Sequence, residues 1–258
     1  MIANIVRRLP LSRSLVAAAA LLALPGAAAA QQVTEAQMYR DCMRLAAEQP
    51  KEAWEKAGQW IGLAGGEPAR HCAAVALIGL EEYREAAERL EMLAVTSTRA
   101  EAVRAGMLAQ AAQAWLLDGN TERAYAAQTT ALELLPEDPS LLIDRAVTLG
   151  TAKNFNDAVA DLSRALTAAP DREDALVYRA TAYRYLDQLD LARADVDRAL
   201  SLDPTSPGAL LEKGILARLA GDDAGAREAW KTLLATAAPE SPEAELARDN
   251  IARLELGN

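Results

Sequence analysis

Few residues in this chain are suited to chemistry. Cys42, Cys72 and His71 supply the only two thiols and the only imidazole among 258 residues. A thiol beside an imidazole can be a nucleophile with its base, and two thiols can be a disulfide, a redox couple or half of a metal site. Here the pattern points to a disulfide. No Cys-x-x-Cys or Cys-x-x-Cys-His run is present, and one histidine does not complete a metal site. The two cysteines stand 30 residues apart, on the expected first helices of successive helical pairs. Stacking brings those two turns near each other, so in an oxidising compartment Cys42 and Cys72 are expected to bond. Free buried thiols, or redox or metal chemistry with His71, are the alternatives. Elsewhere a serine nucleophile lacks a histidine, and there is no strand for a glycine-rich phosphate loop to follow. The acidic doublets Glu81-Glu82, Glu137-Asp138 and Asp222-Asp223 fall at helix starts or turns, where carboxylates favour the helix dipole. The reading is of a protein that is not an enzyme and carries no cofactor and no metal.

What positions these residues is a repeat. Ala124, Ala158, Ala192 and Ala226 lie 34 residues apart, and a second comb runs through Ala131, Ala165 and Ala199. A third places Pro136, Pro170 and Pro204 at the same interval. A period of that length belongs to helix-turn-helix units that cannot bury their apolar faces alone and must stack on neighbours. Composition agrees, because the apolar half of the chain is mostly alanine and leucine, with a single phenylalanine, a mixture that favours helices. One charge pair repeats with the units: Arg145 and Arg179 on first helices, Asp161 and Asp195 each 16 residues on. Each pair is expected to bridge within its unit as an exposed ion pair worth about 0 to 1 kcal/mol. The competing idea turns both arginines into a groove to meet an acidic peptide.

Residues 1–30 read as a secretory signal peptide of bacterial, alanine-rich type. Arg7, Arg8 and Arg13 precede an apolar run from Leu15 to Leu24, and Ala28-Ala29-Ala30 before Gln31 offers a cleavage site. A membrane anchor is the alternative, but Pro25-Gly26 breaks the run short of the roughly 20 residues needed to span. The mature chain is therefore expected in the periplasm, with no direct membrane insertion after cleavage. Losing three arginines takes the formal charge from −10 to −13. Such a balance disfavours nucleic acid and anionic bilayers as partners; solubility explains it more simply than an acidic docking surface for a basic partner.

With the combs in place, residues 105–240 resemble tetratricopeptide repeats. Unit 173–206 carries Leu176, Ala180, Tyr183, Ala192, Ala199 and Pro204 at that family's bulky, small, aromatic, alanine and proline positions. Unit 139–172 offers Leu142, Ala146, Leu149, Ala158, Ala165 and Pro170; unit 105–138 offers Leu108, Ala112, Trp115, Gly119, Ala124, Ala131 and Pro136. The last, 207–240, keeps Gly214, Gly221, Ala226 and Trp230, but Leu233 replaces the second alanine. Residues 31–104 read as divergent N-terminal repeats, with pairs at 35–48 and 51–63, then 68–80 and 83–95. Ala86 precedes Ala124 by 38 residues, and the extra four are expected near Thr96-Ser97-Thr98. Residues 241–258, opened by Ser241-Pro242, read as a capping helix. The fold class is thus all-α, a right-handed α-solenoid.

The resemblance also implies a mode of action. In that family the first helices line a concave groove that meets a peptide, at positions which here include Gln113, Asp144, Val147, Tyr178, Thr181, Arg184, Tyr185, Ile215 and Arg218. The lysine-asparagine-arginine clamp by which some members hold a C-terminal carboxylate is absent, since Ala109, Gln113, Ser140 and Asp144 stand where it would begin. The expected role is a non-enzymatic scaffold or adaptor that binds a polypeptide in this groove. The alternative is a structural subunit of an envelope or secretion assembly, acting through self-association or its convex face.

Overall fold

A computed structural model describes residues 25–256, with side chains described from residue 35 onward. The expected leader thus lies almost wholly outside the described residues. The chain divides after Met38, and residues from Tyr39 on form one compact unit. The helices and contacts below belong to that unit, apart from the first part of α1.

The described residues form thirteen helices and no strand. Two irregular pairs come first, α1 (Pro25–Glu48) with α2 (Pro50–Gly62), and α3 (Gly66–Gly79) with α4 (Tyr83–Thr96). Four further pairs follow. They are α5 (Glu101–Leu117) with α6 (Thr121–Leu134), and α7 (Pro139–Thr151) with α8 (Phe155–Ala168). Next come α9 (Glu173–Tyr185) with α10 (Leu189–Leu202), and α11 (Pro207–Leu219) with α12 (Asp223–Thr236). A single helix, α13 (Pro242–Glu255), ends the array, burying Ala244, Ala247 and Leu254 against the cluster built on Trp230 and Leu233.

The local chemistry of each turn repeats with the period. Every first helix from α3 onward ends in a residue with positive φ: Glu81, Gly119, Lys153, Asp187 and Gly221. The next amide reaches back to the last turn, as Asn120 N–H does to Trp115 O at 2.8 Å and Gln188 N–H to Tyr183 O at 2.8 Å. This closes the helix with the left-handed residue that reverses the chain. Side chains then start the next helix: Asn120 and Asp222 accept amides of their own second helices, Asp138 those of Ser140 and Leu141.

The extra four residues lie near the Thr96-Ser97-Thr98 turn, as expected, but in the helix that follows and not in the connection itself. Residues 97–100 make a connection as long as those at 135–138, 169–172 and 203–206. Instead α5 has 17 residues where α7, α9 and α11 have 13. One added helical turn absorbs the insertion with its backbone hydrogen bonds satisfied, and the packing register beyond is unchanged.

Packing follows the combs. Ala124, Ala192, Ala226, Ala131, Ala165 and Ala199 are all fully buried at 0% exposure. Such residues let helix axes approach to about 8 to 10 Å. The last unit departs from the pattern in a compensated way. Where earlier units pair a small residue with Leu162 or Val196, here Trp230 fills the site, and Gly214 takes the place of Ala146 and Ala180. A Cβ on Gly214 would collide with the Trp230 indole, whose Nε1–H donates to Leu211 O at 3.2 Å.

The repeating ion pairs are not at the surface. Arg145 meets Asp161 through two bonds of 2.7 and 2.8 Å, with the Asp161 side chain only 7% exposed. Arg179 and Asp195 repeat the geometry at 2.7 and 2.8 Å. Each arginine also donates to the preceding unit's second helix, Arg145 to Thr129 and Arg179 to Ser163. The pairs bridge within their unit as expected, but they join three helices, with the aspartates buried and the arginines half-buried. They are therefore far from the weak surface pairs that spacing alone suggested.

Cys42 and Cys72 are disulfide-bonded, with Cα atoms 6.1 Å apart, and tie α1 to α3. Both are buried, and no free cysteine remains.

Two outcomes are expected. Asp195→Ala should cost about 1 to 3 kcal/mol in denaturant unfolding, because the half-buried Arg179 is left without its partner, whereas replacing both residues with apolar ones should cost less. Comparable losses for the two variants would refute a buried pair. Removing the disulfide with Cys42→Ser and Cys72→Ser should lower stability by about 3 to 4 kcal/mol in the chain-entropy picture. Hydrogen exchange should then quicken in α2 to α4 and leave α9 to α12 unchanged.

Candidate peptide-binding face

Successive first helices touch one another: α5 with α7, α7 with α9, α9 with α11, and α11 with α13. Among the described residues, successive second helices make no contact of that extent. The array therefore closes more tightly on the side of the first helices, which makes theirs the inner face. Residues that repeat every 34 positions run along it as columns. Gln110, Asp144, Tyr178 and Glu212 form one, and Gln113, Val147, Thr181 and Ile215 another.

All nine groove residues expected from the sequence lie on α5, α7, α9 and α11. Gln113 and Asp144 are exposed; Val147 is 37% exposed, Tyr178 44% and Tyr185 59%. Thr181, Arg184, Ile215 and Arg218 are half-buried. Ile215 packs on the terminal cluster around Trp230.

Some of these residues are already engaged. Arg184 grips the buried Glu212 of α11 with two bonds of 2.7 and 2.9 Å. Thr181 donates to the same carboxylate at 2.9 Å. The Arg184 guanidinium, held charged by Glu212, also lies 4.5 Å over the Tyr185 ring. Tyr185 in turn stacks on Phe155 of α8, 4.5 Å between centroids and nearly parallel. Arg184 thus locks α9 to α11 and steadies Tyr185. Glu212 is the residue that sequence reading missed, although it occupies the same repeat position as Tyr178 and was legible from that column.

Near the start of α9 a second missed group appears. Arg172 pairs with Asp174 through bonds of 2.9 and 2.7 Å and donates to Ser140 of α7 at 3.1 Å. This guanidinium holds the Asp174 carboxyl below the usual range. Partial desolvation on the inner face pushes the Asp144 carboxyl upward, against the pull of Arg172 and with the push of Asp138 and Asp174. The Tyr178 phenol is raised too, first by burial and then by Asp174, Asp144, Glu243 and Glu173.

Farther toward the N-terminus the inner face carries a hydrogen-bonded chain across three first helices. His71 Nδ1 lies 2.6 Å from Tyr39 Oη, and His71 Nε2 lies 2.6 Å from Gln110 Oε1. An amide oxygen only accepts, so Nε2 carries the proton and Nδ1 accepts from the phenol. Burial lowers the His71 pKa, which favours the neutral ring. The neighbouring sulfur of Cys72 is in its disulfide, so no thiolate is available for the imidazole to activate. Among the described residues no three His, Cys, Asp or Glu side chains gather as a metal site, and no helix is long and apolar enough to cross a membrane.

Comparison with known proteins bears on the fold. No protein-family model matches the chain, and no curated protein matches it. Solved structures do. The MamA RS-1 ArsTM double mutant superposes with a TM-score of 0.57 at 19% identity, covering 72% of this chain and 97% of that one. YrrB, described as a TPR protein with an unusual peptide-binding site, gives 0.54 at 16% identity over 72% and 96%. The APC/C hetero-tetramer Cut9-Hcn1 gives 0.62 at 15% identity over 85% of this chain but 46% of that one. These likenesses define an α-solenoid of stacked helical pairs. With the 34-residue combs, the fold is that of the tetratricopeptide repeat.

The His71 chain yields a pH dependence. Because the folded pKa lies below the ordinary 6.5, the unfolded chain binds the extra proton first. The contribution of neutral His71 is complete above about 6.5 and is lost as the pH falls towards the folded value. Denaturation midpoints recorded across this range should fall with pH in the native protein and flatten in His71→Gln. An unchanged slope in that variant would place the titration elsewhere.

Proposed function

We propose that the protein is a non-enzymatic adaptor of the bacterial periplasm that holds a segment of another polypeptide along the inner face of α5, α7, α9 and α11. The observation that carries this reading is the pair of exposed tyrosines on α9, Tyr178 at 44% and Tyr185 at 59% exposure. They stand on a face whose supports, Arg184, Glu212 and Phe155, are already fixed. A preorganised aromatic surface loses little entropy on binding and suits an interface anchor. The recorded peptide-binding site of YrrB, in a chain of the same fold, supports the class of partner. The compartment rests on the basic, apolar and small-residue leader and on the disulfide, which persists in oxidising surroundings.

The variant that tests this reading is Tyr178→Ala with Tyr185→Ala. Arg184 is left intact, since its removal would strand the buried carboxylate of Glu212. Capture from periplasm should retain a partner on the native protein and lose it on the double variant, with a penalty of about 2 kcal/mol or more for anchors of this kind. A partner kept by both proteins would move binding off this face. A stable homo-oligomer that survives the change, with nothing else captured, would favour a structural subunit instead.

A further inference from the structure

Aromatic rings in this chain are commonly covered by an arginine of the same chain. Arg89 lies over Trp54, Arg123 over Trp115, Arg145 over Tyr125, Arg179 over Tyr183 and Arg184 over Tyr185, at 4.5 to 5.7 Å. Three aromatic rings are exposed, those of Tyr125, Tyr178 and Tyr185. Two of the three have their arginine; among the described residues, no cation lies over Tyr178.

Carboxylates also surround the Tyr178 ring. Asp174 stands one turn earlier on α9, and Asp144 occupies the same repeat position one unit earlier on α7. Glu173 and Glu243, the latter from α13, add their fields at the phenol. The cation on hand, Arg172, is committed to Asp174 and Ser140. The Glu173 carboxylate takes the Ser206 hydroxyl, which leaves its charge in place. Other acids are balanced in pairs, Asp174 with Arg172, Asp161 with Arg145, Asp195 with Arg179 and Glu212 with Arg184. Asp144 has no such partner among the described residues. Excess negative charge and an uncovered ring therefore coincide at one exposed place.

We infer that the inner face docks a cationic segment of its polypeptide partner, with an arginine or lysine side chain lying over the Tyr178 ring and its charge met by Asp144, the unpaired carboxylate one repeat earlier. The inference rests on the peptide reading above and adds the sign of the partner's charge. A cation within about 6 Å of a ring centroid is attracted by the ring quadrupole, and nearby carboxylates reinforce that field. The same carboxylates repel an acidic tail, the reverse of a carboxylate clamp. They also draw a basic segment from a distance, an attraction that salt weakens.

Four fluorescent peptides of alternating leucine with arginine, lysine, glutamine or glutamate test the inference by polarisation on the full chain. The arginine and lysine peptides should bind, more weakly as salt is raised, and the glutamate peptide should not. Tyr178→Leu combined with Asp144→Asn should weaken the basic peptides about tenfold or more, while Tyr178→Phe, which keeps the ring, should leave them nearly unchanged. Both positions are exposed, and an unaltered unfolding midpoint checks that the variants are folded. If glutamine and glutamate peptides bind as well as the basic ones and are lost in the double variant, the face takes peptides but the charge inference is overturned. If basic peptides bind equally to native and double-variant protein, the face itself is not the site and the peptide reading falls with it. Absence of binding by the basic peptides, or a dimer that the same substitutions abolish, would also overturn the inference.

Discussion

Everything in the array depends on how closely two helix backbones can approach. A pair of helices of 13 or 14 residues is too small to bury an apolar face by itself, so each unit is stable only against its neighbours. Alanine at the fully buried positions sets that spacing, and it also leaves little apolar area per contact. The rest of the structure compensates. Arginine-aspartate pairs with buried carboxylates clamp three helices at a time, and Trp230 over Gly214 recovers apolar volume in the last full unit. One wide side chain is accommodated there because the opposing Cβ is missing.

The sequence made the fold legible and left its polar interior obscure. Alanine and proline at a fixed interval imply stacked helical pairs whatever else the residues do, because small residues and helix breakers act locally. The extra turn of α5 was not legible: four residues can lengthen a connection or a helix, and only packing against α4 and α6 selects between them. Arg145 and Asp161 were readable as partners from their spacing, yet their burial depends on Thr129 of the preceding unit, which no pairwise pattern reveals. The disulfide was readable because only two thiols exist and stacked units bring them together.

On the inner face the same division holds. Repeat position alone named Tyr178 and Asp144 as surface groups. It also named Arg184, whose guanidinium is spent on Glu212 and Tyr185, so a residue that reads as a contact is a brace. The difference lies in the partner: Arg184 faces the buried carboxylate of Glu212 on the next first helix, whereas Tyr178 is left 44% exposed. The rigid part of the face is thus built by paired charges, and the free part is left to aromatic and unpaired acidic groups.

The bond between Cys42 and Cys72 has a mechanical consequence. An array that carries load between its ends lengthens as its repeats unravel, and an extended chain gains roughly 3.3 to 3.6 Å per residue. The crosslink spans 30 residues, so about 100 Å of contour is withheld from any pull and force passes straight from α1 to α3. Under tension α2 and its flanking turns stay closed while extensible length comes from the helices beyond Cys72, until a reductant releases the stored segment.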